Sequence, residues 1–438
     1  MSDNCDLVAR TLRSVWHPCT QMKLHERLPM VPVSHAKGAW LYDFEGRRYL
    51  DAISSWWVNL FGHADPRVNA AIVAQLERLE HVILAGFTHE PAVLLAERLS
   101  ALTAGRLGHC FFASDGSSAV EIALKMSHHF WRNRNQPDKS RFVCLTGAYH
   151  GETTGALSVG DVALFRDAYA PLLRAGITVP SPDWRHAGPG ETAPDYARRC
   201  ASALEEVLQQ RHGEIAALIV EPLVQCAGGM GMYDPEYLRL ARALCDRYDV
   251  HLIADEIAVG FGRTGTFLAC EQAGILPDIL CLSKGITGGY LPLSVVLSTQ
   301  AIYDAFYDDE TSRGFLHSHS YTGNALACAA ALATLSIFEE DSVIEANRGR
   351  AARIDELARP IAAHPRVRNF RRTGMIWAFE VEAAQPLFAR RFSAAALERE
   401  LLLRPIGNTV YFMPPYVIDE AQSRLLTSGA LELVEQVP

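Results

Sequence analysis

Hydrophobic and polar positions change their spacing twice along the chain. The stretch 39–57 alternates apolar and polar residues around Glu45 and Gly46, which predicts a β-hairpin. From Asp65 onward, helical periodicity alternates with short, nearly continuous apolar runs, among them RFVCLTG, VHLIADEI and ILCLS. Such runs are typical of strands that are buried on both faces. The pattern therefore predicts a mostly parallel sheet covered by helices.

A second pattern begins near Ser336. A long helical stretch precedes two short strands, MIWAFEV and TVYFMPPY, and a terminal helix, which together predict a smaller α+β domain. The predicted organisation is an α/β protein with three parts. An N-terminal segment, 1–65, joins the small domain and lines the site; a large domain occupies 66–335, and the small domain occupies 336–438.

Composition and charge narrow the class of protein. The 438 residues include 41 Lys and Arg against 50 Asp and Glu, a net charge of −9, which argues against a nucleic-acid partner. No apolar run is long enough to span a membrane, and the first residues lack the apolar core of a signal peptide. The ten cysteines are scattered, with no C-x-x-C pair. We expect reduced thiols in a cytoplasmic protein with no membrane partner.

The stretch CFFASDGSSAVEIALKM predicts a strand, a tight turn and a helix. The strand ends at Ala113, and the helix is expected to begin near Ser117 or Ser118. Ser118 and Glu121 have the spacing of a capping box. The free N–H groups of such a helix start suit a phosphate, and Gly116 permits close approach. An ordinary well-capped helix has the same pattern, so this stretch leaves both interpretations open.

Two chemically active residue types follow neighbouring strands. Asp255 and Glu256 end one apolar strand, and Lys284 follows the next, just before a run of glycines. Ligands collect at the carboxyl ends of parallel strands. A phosphorylated pyridine aldehyde would use the predicted helix start, Asp255 and Lys284 together. Its phosphate would bind the helix start, its aldehyde would condense with Lys284, and Asp255 would keep the ring nitrogen protonated.

Two other interpretations use the same part of the chain. GFGRTG at 260–265 matches G-x-G-x-x-G, which would suit a dinucleotide-binding dehydrogenase, with Asp278 near the distance for a ribose contact. Against this, the glycines do not follow the strand directly, and no long helix is predicted after Gly265. His317 and His319 could suggest a metal, but no third ligand has a suitable spacing, so no metal site is expected.

Several stretches together resemble class III aminotransferases, which are pyridoxal 5'-phosphate (PLP) enzymes of fold type I. They are, in order, YHGE, EPLVQCAGGM, IADEIAVGFGRTG, PDILCLSKGITGG and YTGNALACAAA. The resemblance extends from Trp16 to Tyr416. It implies a large domain with a mostly parallel seven-stranded sheet, a smaller α+β domain, PLP as the cofactor, and a homodimer with shared active sites.

The resemblance also implies roles for individual residues. Lys284 would bind the cofactor aldehyde and later carry protons, Asp255 would pair with the pyridinium nitrogen, and Tyr149 would stack on the ring. The implied phosphate contacts are Gly116, Ser117, Ser118 and, from the neighbouring subunit, Ser320. The implied substrate contacts are Trp57, Lys284, Gly314 and Arg404, where Arg404 would hold a carboxylate.

Within the family, WHPCTQM, SSWWVNLFGH and LLRPIGNTVYFMPPY resemble members that aminate 8-amino-7-oxononanoate in biotin synthesis. Cys19 stands where members that use S-adenosylmethionine typically carry tyrosine, so S-adenosylmethionine and lysine both remain possible donors. His319 and Ser320 replace the more usual Pro-Thr pair. Another class III enzyme acting on an ω-amine or amino acid is the alternative within the family.

Overall fold

The chain folds as two units that do not follow its linear order. The computed structural model describes residues 3–28, 30–383 and 387–437. Met1–Pro66 and Glu345–Pro438 form one unit, called unit 1 here, and Arg67–Ile344 form the other, unit 2. The N-terminal segment and the C-terminal part of the chain therefore belong to the same unit.

The helices and strands are given in chain order. The helices are α1 (Asn4–Ser14), α2 (Ser54–Trp57), α3 (Pro66–Leu76), α4 (Glu90–Ala101), α5 (Gly116–Asn133), α6 (Thr154–Ser158), α7 (Ala163–Arg166), α8 (Ala193–Arg211), α9 (Glu236–Arg247), α10 (Gln300–Asp304), α11 (Ala325–Glu340), α12 (Val343–Ala362), α13 (Phe388–Leu397) and α14 (Glu420–Gln436). The strands are β1 (Val33–Lys37), β2 (Trp40–Asp43), β3 (Arg48–Asp51), β4 (His109–Ala113), β5 (Arg141–Leu145), β6 (Ile177–Val179), β7 (Ile215–Val220), β8 (Val224–Gln225), β9 (Gly231–Met232), β10 (His251–Asp255), β11 (Ile279–Leu282), β12 (Ser294–Ser298), β13 (Val367–Thr373), β14 (Ile376–Val381), β15 (Leu401–Leu402) and β16 (Thr409–Phe412).

The apolar runs form the central sheet of unit 2. Its seven strands are ordered β4-β12-β11-β10-β7-β5-β6. Only β12 is antiparallel to its neighbours within this sheet, whereas the pairs β11–β10, β10–β7, β7–β5 and β5–β6 are parallel. Every residue of β7, β10 and β11 is buried, as expected for strands covered on both faces. The predicted α/β fold with a mostly parallel seven-stranded sheet is confirmed.

Unit 1 contains two smaller sheets. Strands β1, β2, β3 and β15 form one, and β13, β14 and β16 form the other. The hairpin predicted around Glu45 and Gly46 is β2–β3, and Gly46 has a φ of +84° in its turn. Strand β15 pairs in parallel with β3, so the C-terminal region of the chain adds a strand to an N-terminal sheet.

The start of α5 differs from the sequence-based expectation. The helix begins at Gly116, and its N-cap is Asp115, whose Oδ1 accepts the N–H of Ser118 at 2.9 Å. The predicted Ser118–Glu121 capping box is therefore wrong. Glu121 instead accepts the N–H of Gly155 at 2.6 Å. Asp115 was overlooked because a serine two or three residues later has the same capping preference. Within the described residues, no helix is long and apolar enough to cross a membrane.

Candidate active site

Asp255 and Lys284 occupy the same edge of the unit 2 sheet. Asp255 is the last residue of β10 and is paired in register with Cys281 of the parallel strand β11. Lys284 follows β11 by two residues and begins a short 3-10 helix, Lys284–Thr287. Because parallel strands end at a common edge, the topology brings this carboxylate and this amine to the same side of the sheet, as the sequence predicts.

Both oxygens of the Asp255 carboxylate have hydrogen-bond partners. His150 Nδ1 lies 2.7 Å from Oδ2, and the N–H of Ile257 donates to Oδ1 at 3.0 Å. Asp255 is only 4% exposed and His150 only 2%. His150 Nε2 is also buried and has no hydrogen-bond partner among the described residues. The carboxylate is therefore held in a fixed orientation by a buried imidazole.

The environment of Lys284 favours its neutral form. Burial lowers the pKa of its ammonium group, although the negative charge of Asp255 acts in the opposite direction. A lysine with a lowered pKa presents more of the neutral amine that attacks a carbonyl. Its φ of +41° lies in the left-handed region, which non-glycine residues rarely adopt. Such a conformation is typical of a residue held by its surroundings at a functional site.

Glu221 supplies a second buried acidic group. Its side chain accepts the N–H of Tyr149 and the N–H of Cys226, each at 3.0 Å. Burial raises the pKa of this carboxyl to about 7, and the charge of Asp255 also raises it, whereas His150 and the two N–H donors lower it. Glu221 therefore connects the loop that carries Tyr149 and His150 to the end of β7, beside Asp255.

The start of α5 packs against the same strand end. A Cβ atom on Gly116 would come within 2.9 Å of the side chain of Ile257, and one on Gly151 would come within 2.3 Å of Ser117 Oγ. Both glycines thus permit close approaches that a side chain would block. Since Ile257 follows Asp255 closely and Gly151 follows His150, the helix start lies beside the groups that hold Asp255.

The hydroxyl groups of two predicted phosphate residues, Ser117 and Ser118, have hydrogen-bond partners within the chain. Ser117 Oγ lies 2.9 Å from Thr153 Oγ1 and accepts the N–H of Thr153 at 3.1 Å. Ser118 Oγ donates to Asp115 Oδ2 at 2.8 Å, so this hydroxyl helps cap the helix. The first-turn N–H groups of Gly116 and Ser117 have no acceptor in the described part of the chain. These amides, at the positive end of an 18-residue helix, are the clearest anion donors here.

Tyr149 is half-buried and belongs to this group through its main chain. Its N–H bonds to Glu221, its hydroxyl donates to Glu152 at 3.0 Å, and its ring lies 5.2 Å from that of Phe165. Glu256, the neighbour of Asp255, has a structural contact instead. It is fully buried and accepts the N–H groups of Ala269 and Cys270 at 2.6 and 2.8 Å.

The G-x-G-x-x-G match does not open a long helix. Gly260–Gly265 continues through turns into a 3-10 helix, Ala269–Ala273. In a dinucleotide-binding turn, the glycines lead directly from a strand into a helix whose N-terminus binds the pyrophosphate. The local structure therefore disfavours the dehydrogenase interpretation.

Gly314 and Ser320 lie on an exposed loop of unit 2. Gly314 ends the turn Thr311–Arg313 and donates its N–H to the carbonyl of Thr311 at 3.0 Å. Ser320 is exposed, and its carbonyl oxygen lies 2.8 Å from His81 Nε2. Neither residue is linked to Lys284 or Asp255 by a hydrogen bond within the described residues.

Arg404 lies in unit 1 within a group of polar and aromatic residues. Its guanidinium carbon is 4.9 Å from the ring centroid of Trp56, and its Nη2 donates to the carbonyl oxygen of Cys19 at 3.3 Å. The rings of His17 and His25 lie 5.9 Å apart. Burial, then the charges of His17 and Arg404, lower the pKa of His25. We call Arg404, Trp56, Cys19, His17 and His25 the arginine cluster.

Trp57, the predicted substrate wall, is buried. It is 4% exposed, and its Nε1 donates to the hydroxyl of Tyr411 at 3.2 Å. Its neighbour Trp56 is 43% exposed and carries the Arg404 contact. The sequence shows two adjacent tryptophans but not which of them is exposed, so Trp57 as a substrate wall stays a prediction.

The side chains at the sheet edge of unit 2 fit the predicted cofactor, PLP. We call Lys284, Asp255, His150, Glu221 and Tyr149 the lysine site. It combines an amine with a lowered pKa, a buried carboxylate held by an imidazole, and first-turn amides of α5 beside Ser117. The buried Nε2 of His150 leaves a polar atom for a further partner. This fold and donor set define the class of PLP-dependent enzymes of fold type I.

Comparisons with known proteins identify the family within that class. The family model for aminotransferase class-III matches residues 22–432, so the chain belongs to the class III aminotransferases. It is 46% identical over 440 residues to the adenosylmethionine-8-amino-7-oxononanoate aminotransferase of Helicobacter pylori, covering 99% of this chain and 98% of the relative. The enzyme of the same name from Geobacter sulfurreducens is 40% identical, covering 97% and 96%.

A solved structure supports the fold at similar coverage. The crystal structure of adenosylmethionine-8-amino-7-oxononanoate aminotransferase from Methanocaldococcus jannaschii has a TM-score of 0.93 at 33% identity, covering 99% of this chain and 100% of that one. An amine transaminase from an uncultivated Pseudomonas species, in its PLP-bound form, has a TM-score of 0.91 at 33% identity, covering 97% and 99%. PLP as cofactor and the aminotransferase class are therefore confirmed.

Sequence reasoning missed several residues that shape these sites. His150, Asp115 and Trp56 are each adjacent in sequence to a predicted site residue. The YHGE stretch offered a usable signal for His150, since an imidazole beside the predicted ring-stacking tyrosine is a natural partner for a carboxylate. The position of Trp56 depends on backbone handedness, which no residue pattern in this stretch indicates.

Proposed function

We propose that this aminotransferase converts 8-amino-7-oxononanoate to 7,8-diaminononanoate, a step of biotin synthesis, with S-adenosylmethionine as the amino donor. The observation that carries the proposal is the near-complete coverage of relatives with that name, at 46% and 40% identity. The arginine cluster agrees with it, because the keto substrate ends in a carboxylate and Arg404 places an exposed guanidinium over an aromatic ring.

The roles proposed for the lysine site follow from its contacts. When bound, PLP supplies an electron sink that stabilises a carbanion on the substrate. Lys284 Nζ would hold the cofactor and, once the substrate amine has displaced it, would take the proton from the amine-bearing carbon and deliver it to the cofactor carbon rather than back to the same atom. Asp255, oriented by His150, would keep a proton on the pyridine nitrogen of the bound cofactor. The amides of Gly116 and Ser117 would hold the phosphate, and Tyr149 would support the ring.

The donor depends on the segment around Cys19. Its carbonyl oxygen, rather than its thiol, receives the bond from Arg404, so replacing tyrosine by cysteine at this position leaves that contact possible. Its φ of +54° is left-handed. We infer that the main chain of Cys19 still helps to hold Arg404, which would bind the substrate carboxylate. The hydroxyl that a tyrosine would offer to the amino donor is absent. Lysine is the alternative donor. The names of the relatives favour S-adenosylmethionine.

A homodimer is part of the proposal. Exposed apolar side chains surround Ser320 in sequence and include Leu316 at 77% and Tyr321 at 67% exposed, and the ring of His81 lies 5.1 Å from that of Tyr321. A second copy would cover these side chains. Ser320, which is exposed, would then contribute its hydroxyl to the phosphate site of the partner.

A cytoplasmic location is supported by the buried cysteines, which carry free thiols: Cys144, Cys200, Cys226, Cys245, Cys270, Cys281 and Cys328.

A donor screen with the purified holoenzyme tests the proposal. We expect 8-amino-7-oxononanoate to be converted to 7,8-diaminononanoate when S-adenosylmethionine is present, measured by mass spectrometry of the product. Parallel reactions with lysine, and with an ω-amine plus pyruvate, give the two alternatives within the family. The second is relevant because an ω-transaminase from Thermomicrobium roseum has a TM-score of 0.94 at 31% identity.

The three reactions separate the interpretations. Formation of 7,8-diaminononanoate with lysine but not with S-adenosylmethionine would retain the proposed keto substrate and make lysine the donor. Turnover of the ω-amine, with none of the keto acid under any donor, would contradict the proposed function and leave the family assignment intact.

A further inference from the structure

Four consecutive non-glycine residues of unit 1 lie in the left-handed region. The φ values of Ser54, Ser55, Trp56 and Trp57 are 51°, 45°, 70° and 75°. The N–H of Trp57 donates to the carbonyl of Ile53 at 2.9 Å and that of Val58 to Ser54 at 3.0 Å, so α2 is one turn of left-handed helix. L-residues adopt this conformation singly rather than in runs. Contacts with the surrounding structure must therefore hold the turn in place.

The buried carboxylate of Asp51 holds one side of the turn. Its Oδ1 accepts the N–H of Ser55 at 2.8 Å, and its Oδ2 accepts the Ser55 hydroxyl at 2.7 Å. His63 Nε2 lies 3.0 Å from the same Oδ2, and Asp51 is 0% exposed. A carboxylate removed from water requires such donors, so the positions of Ser55 and His63 are linked through Asp51.

The orientation of His63 is itself fixed. Its main chain exchanges two hydrogen bonds with Gly38, at 2.7 and 2.9 Å. The amide nitrogen of Asn59 lies 3.3 Å from His63 Nδ1. An amide N–H can only donate, so Nδ1 accepts and Nε2 carries the hydrogen that bonds to Asp51. His63 thus acts as a donor attached to the β1–β2 turn.

The opposite side of the turn is anchored to the C-terminal part of unit 1. Ser54 Oγ donates to the carbonyl of Met413 at 2.7 Å, and Trp57 is held by the hydroxyl of Tyr411. The result is that adjacent tryptophans have opposite surroundings: Trp57 is buried, and Trp56 is exposed beneath the guanidinium of Arg404. A right-handed turn would direct these side chains differently, because reversing the hand of the turn reverses the sense in which successive Cα–Cβ bonds rotate about its axis.

We propose that Asp51, with Ser55 and His63, is a positioning residue that holds Trp56 against Arg404 and thereby sets the affinity for the carboxylate end of the keto substrate. The inference rests on the proposed function. These three residues act through the turn rather than by contact with the reacting atoms. Their loss should therefore weaken recognition of the keto acid more than it slows the chemical step.

A pair of substitutions at His63 tests the proposal. In His63→Gln, the amide can still donate to Asp51, whereas His63→Leu has similar bulk and no donor. We expect His63→Leu to raise KM for 8-amino-7-oxononanoate about tenfold, the factor set by one lost bond to a charged group. Its kcat and its KM for the donor should change by no more than about twofold. His63→Gln should lie close to the unsubstituted enzyme.

Ser55→Ala is a second variant that retains the N–H bond to Asp51 and loses the hydroxyl bond. It should raise the same KM by a smaller factor, and thermal unfolding of the holoenzyme checks that each variant folds. If His63→Leu does not fold, the KM of Ser55→Ala for the keto acid tests the proposal in its place.

Two results would overturn the inference: a KM for the keto acid that stays unchanged in a folded variant, or equal losses in kcat and in both KM values. If the unsubstituted enzyme does not aminate the keto acid, the proposed function itself has failed.

Discussion

The lysine site of unit 2 and the arginine cluster of unit 1 are built by different means. Asp255 and Lys284 stand at the ends of adjacent parallel strands, and buried side chains hold the carboxylate. Arg404 and Trp56 are exposed; Arg404 lies on an irregular segment and Trp56 on the left-handed turn α2, and both Cys19 and Trp56 have a positive φ. Regular secondary structure thus positions the groups for the chemistry common to the family. Loops and a strained turn position the groups proposed to recognise the substrate.

The two regions also differ in backbone strain. A left-handed residue with a side chain is disfavoured by roughly 1–2 kcal/mol. The four residues of α2 together therefore represent on the order of 4–8 kcal/mol of local strain. In the lysine site, Lys284 is the residue with a positive φ. Such strain persists where surrounding contacts determine the conformation, and it fits a turn whose shape is needed for recognition.

Removing the amine of Lys284 should give the largest effect. We expect Lys284→Ala to lower kcat by about 10⁴-fold or more, since one side chain supplies both covalent attachment and proton transfer. The measurement is the rate of product formation with saturating keto acid and donor. This result would sharpen the comparison, because the loss should appear in kcat rather than in recognition of the keto acid.

Lys284→Arg is the matched control, because it keeps a long basic side chain but offers no primary amine. It should be as inactive as Lys284→Ala. Borohydride treatment of the unsubstituted holoenzyme should attach the cofactor to the peptide that contains Lys284, and neither variant should be labelled there. Substantial turnover by Lys284→Arg would contradict a nucleophilic role.

The contrast between the lysine site and the arginine cluster shows which parts of the fold and of the sites could be predicted from the sequence. Apolar runs and topology rules identified the sheet and the shared edge of Asp255 and Lys284, because strand ends are visible in the pattern of residues. The cap of α5 was misassigned because several residues near its start can cap a helix. The exposure of Trp56 could not be predicted. It depends on a left-handed turn without glycine, stabilised by partners such as Met413, 359 positions from Ser54.

Removing the guanidinium of Arg404 should give the second largest effect. We expect Arg404→Ala to raise KM for the keto acid about 100-fold, the loss expected for paired hydrogen bonds to a carboxylate. The KM for the donor should change far less. Steady-state kinetics with each substrate varied in turn measure both. A change confined to the keto acid would place substrate discrimination in the arginine cluster.

Two controls accompany this variant. Arg404→Lys keeps the charge without the planar fork and should recover only part of the affinity. Arg424→Ala removes an exposed arginine of unit 1 that pairs with Glu420 on its own helix, and it should leave both KM values unchanged. Normal affinity for the keto acid in Arg404→Ala would remove the main structural support for the proposed substrate.

The smallest predicted effect is a pH dependence of the free energy of unfolding, which tests whether the carboxyl group of Glu221 titrates as a buried group of the lysine site. The folded pKa of Glu221, about 7, lies above its ordinary value of 4.5. Between these values the folded state holds a proton that the unfolded state has lost, so this contribution is complete below pH 4.5 and disappears as pH rises through 7. Relative to Glu221→Gln, which does not titrate, the free energy of unfolding should fall by about 3 kcal/mol from pH 4.5 to pH 8.

Urea unfolding of both holoenzymes at the two pH values, at one protein concentration, measures this difference. Tyr233→Phe is the matched control, because Tyr233 donates to the main-chain oxygen of Glu221 at 2.6 Å rather than to its carboxyl group. Its cost in stability should be nearly the same at both pH values. A constant difference between the unsubstituted enzyme and Glu221→Gln would mean that Glu221 keeps one protonation state throughout, and the lysine site would then lack the titrating acid that distinguishes it from the arginine cluster.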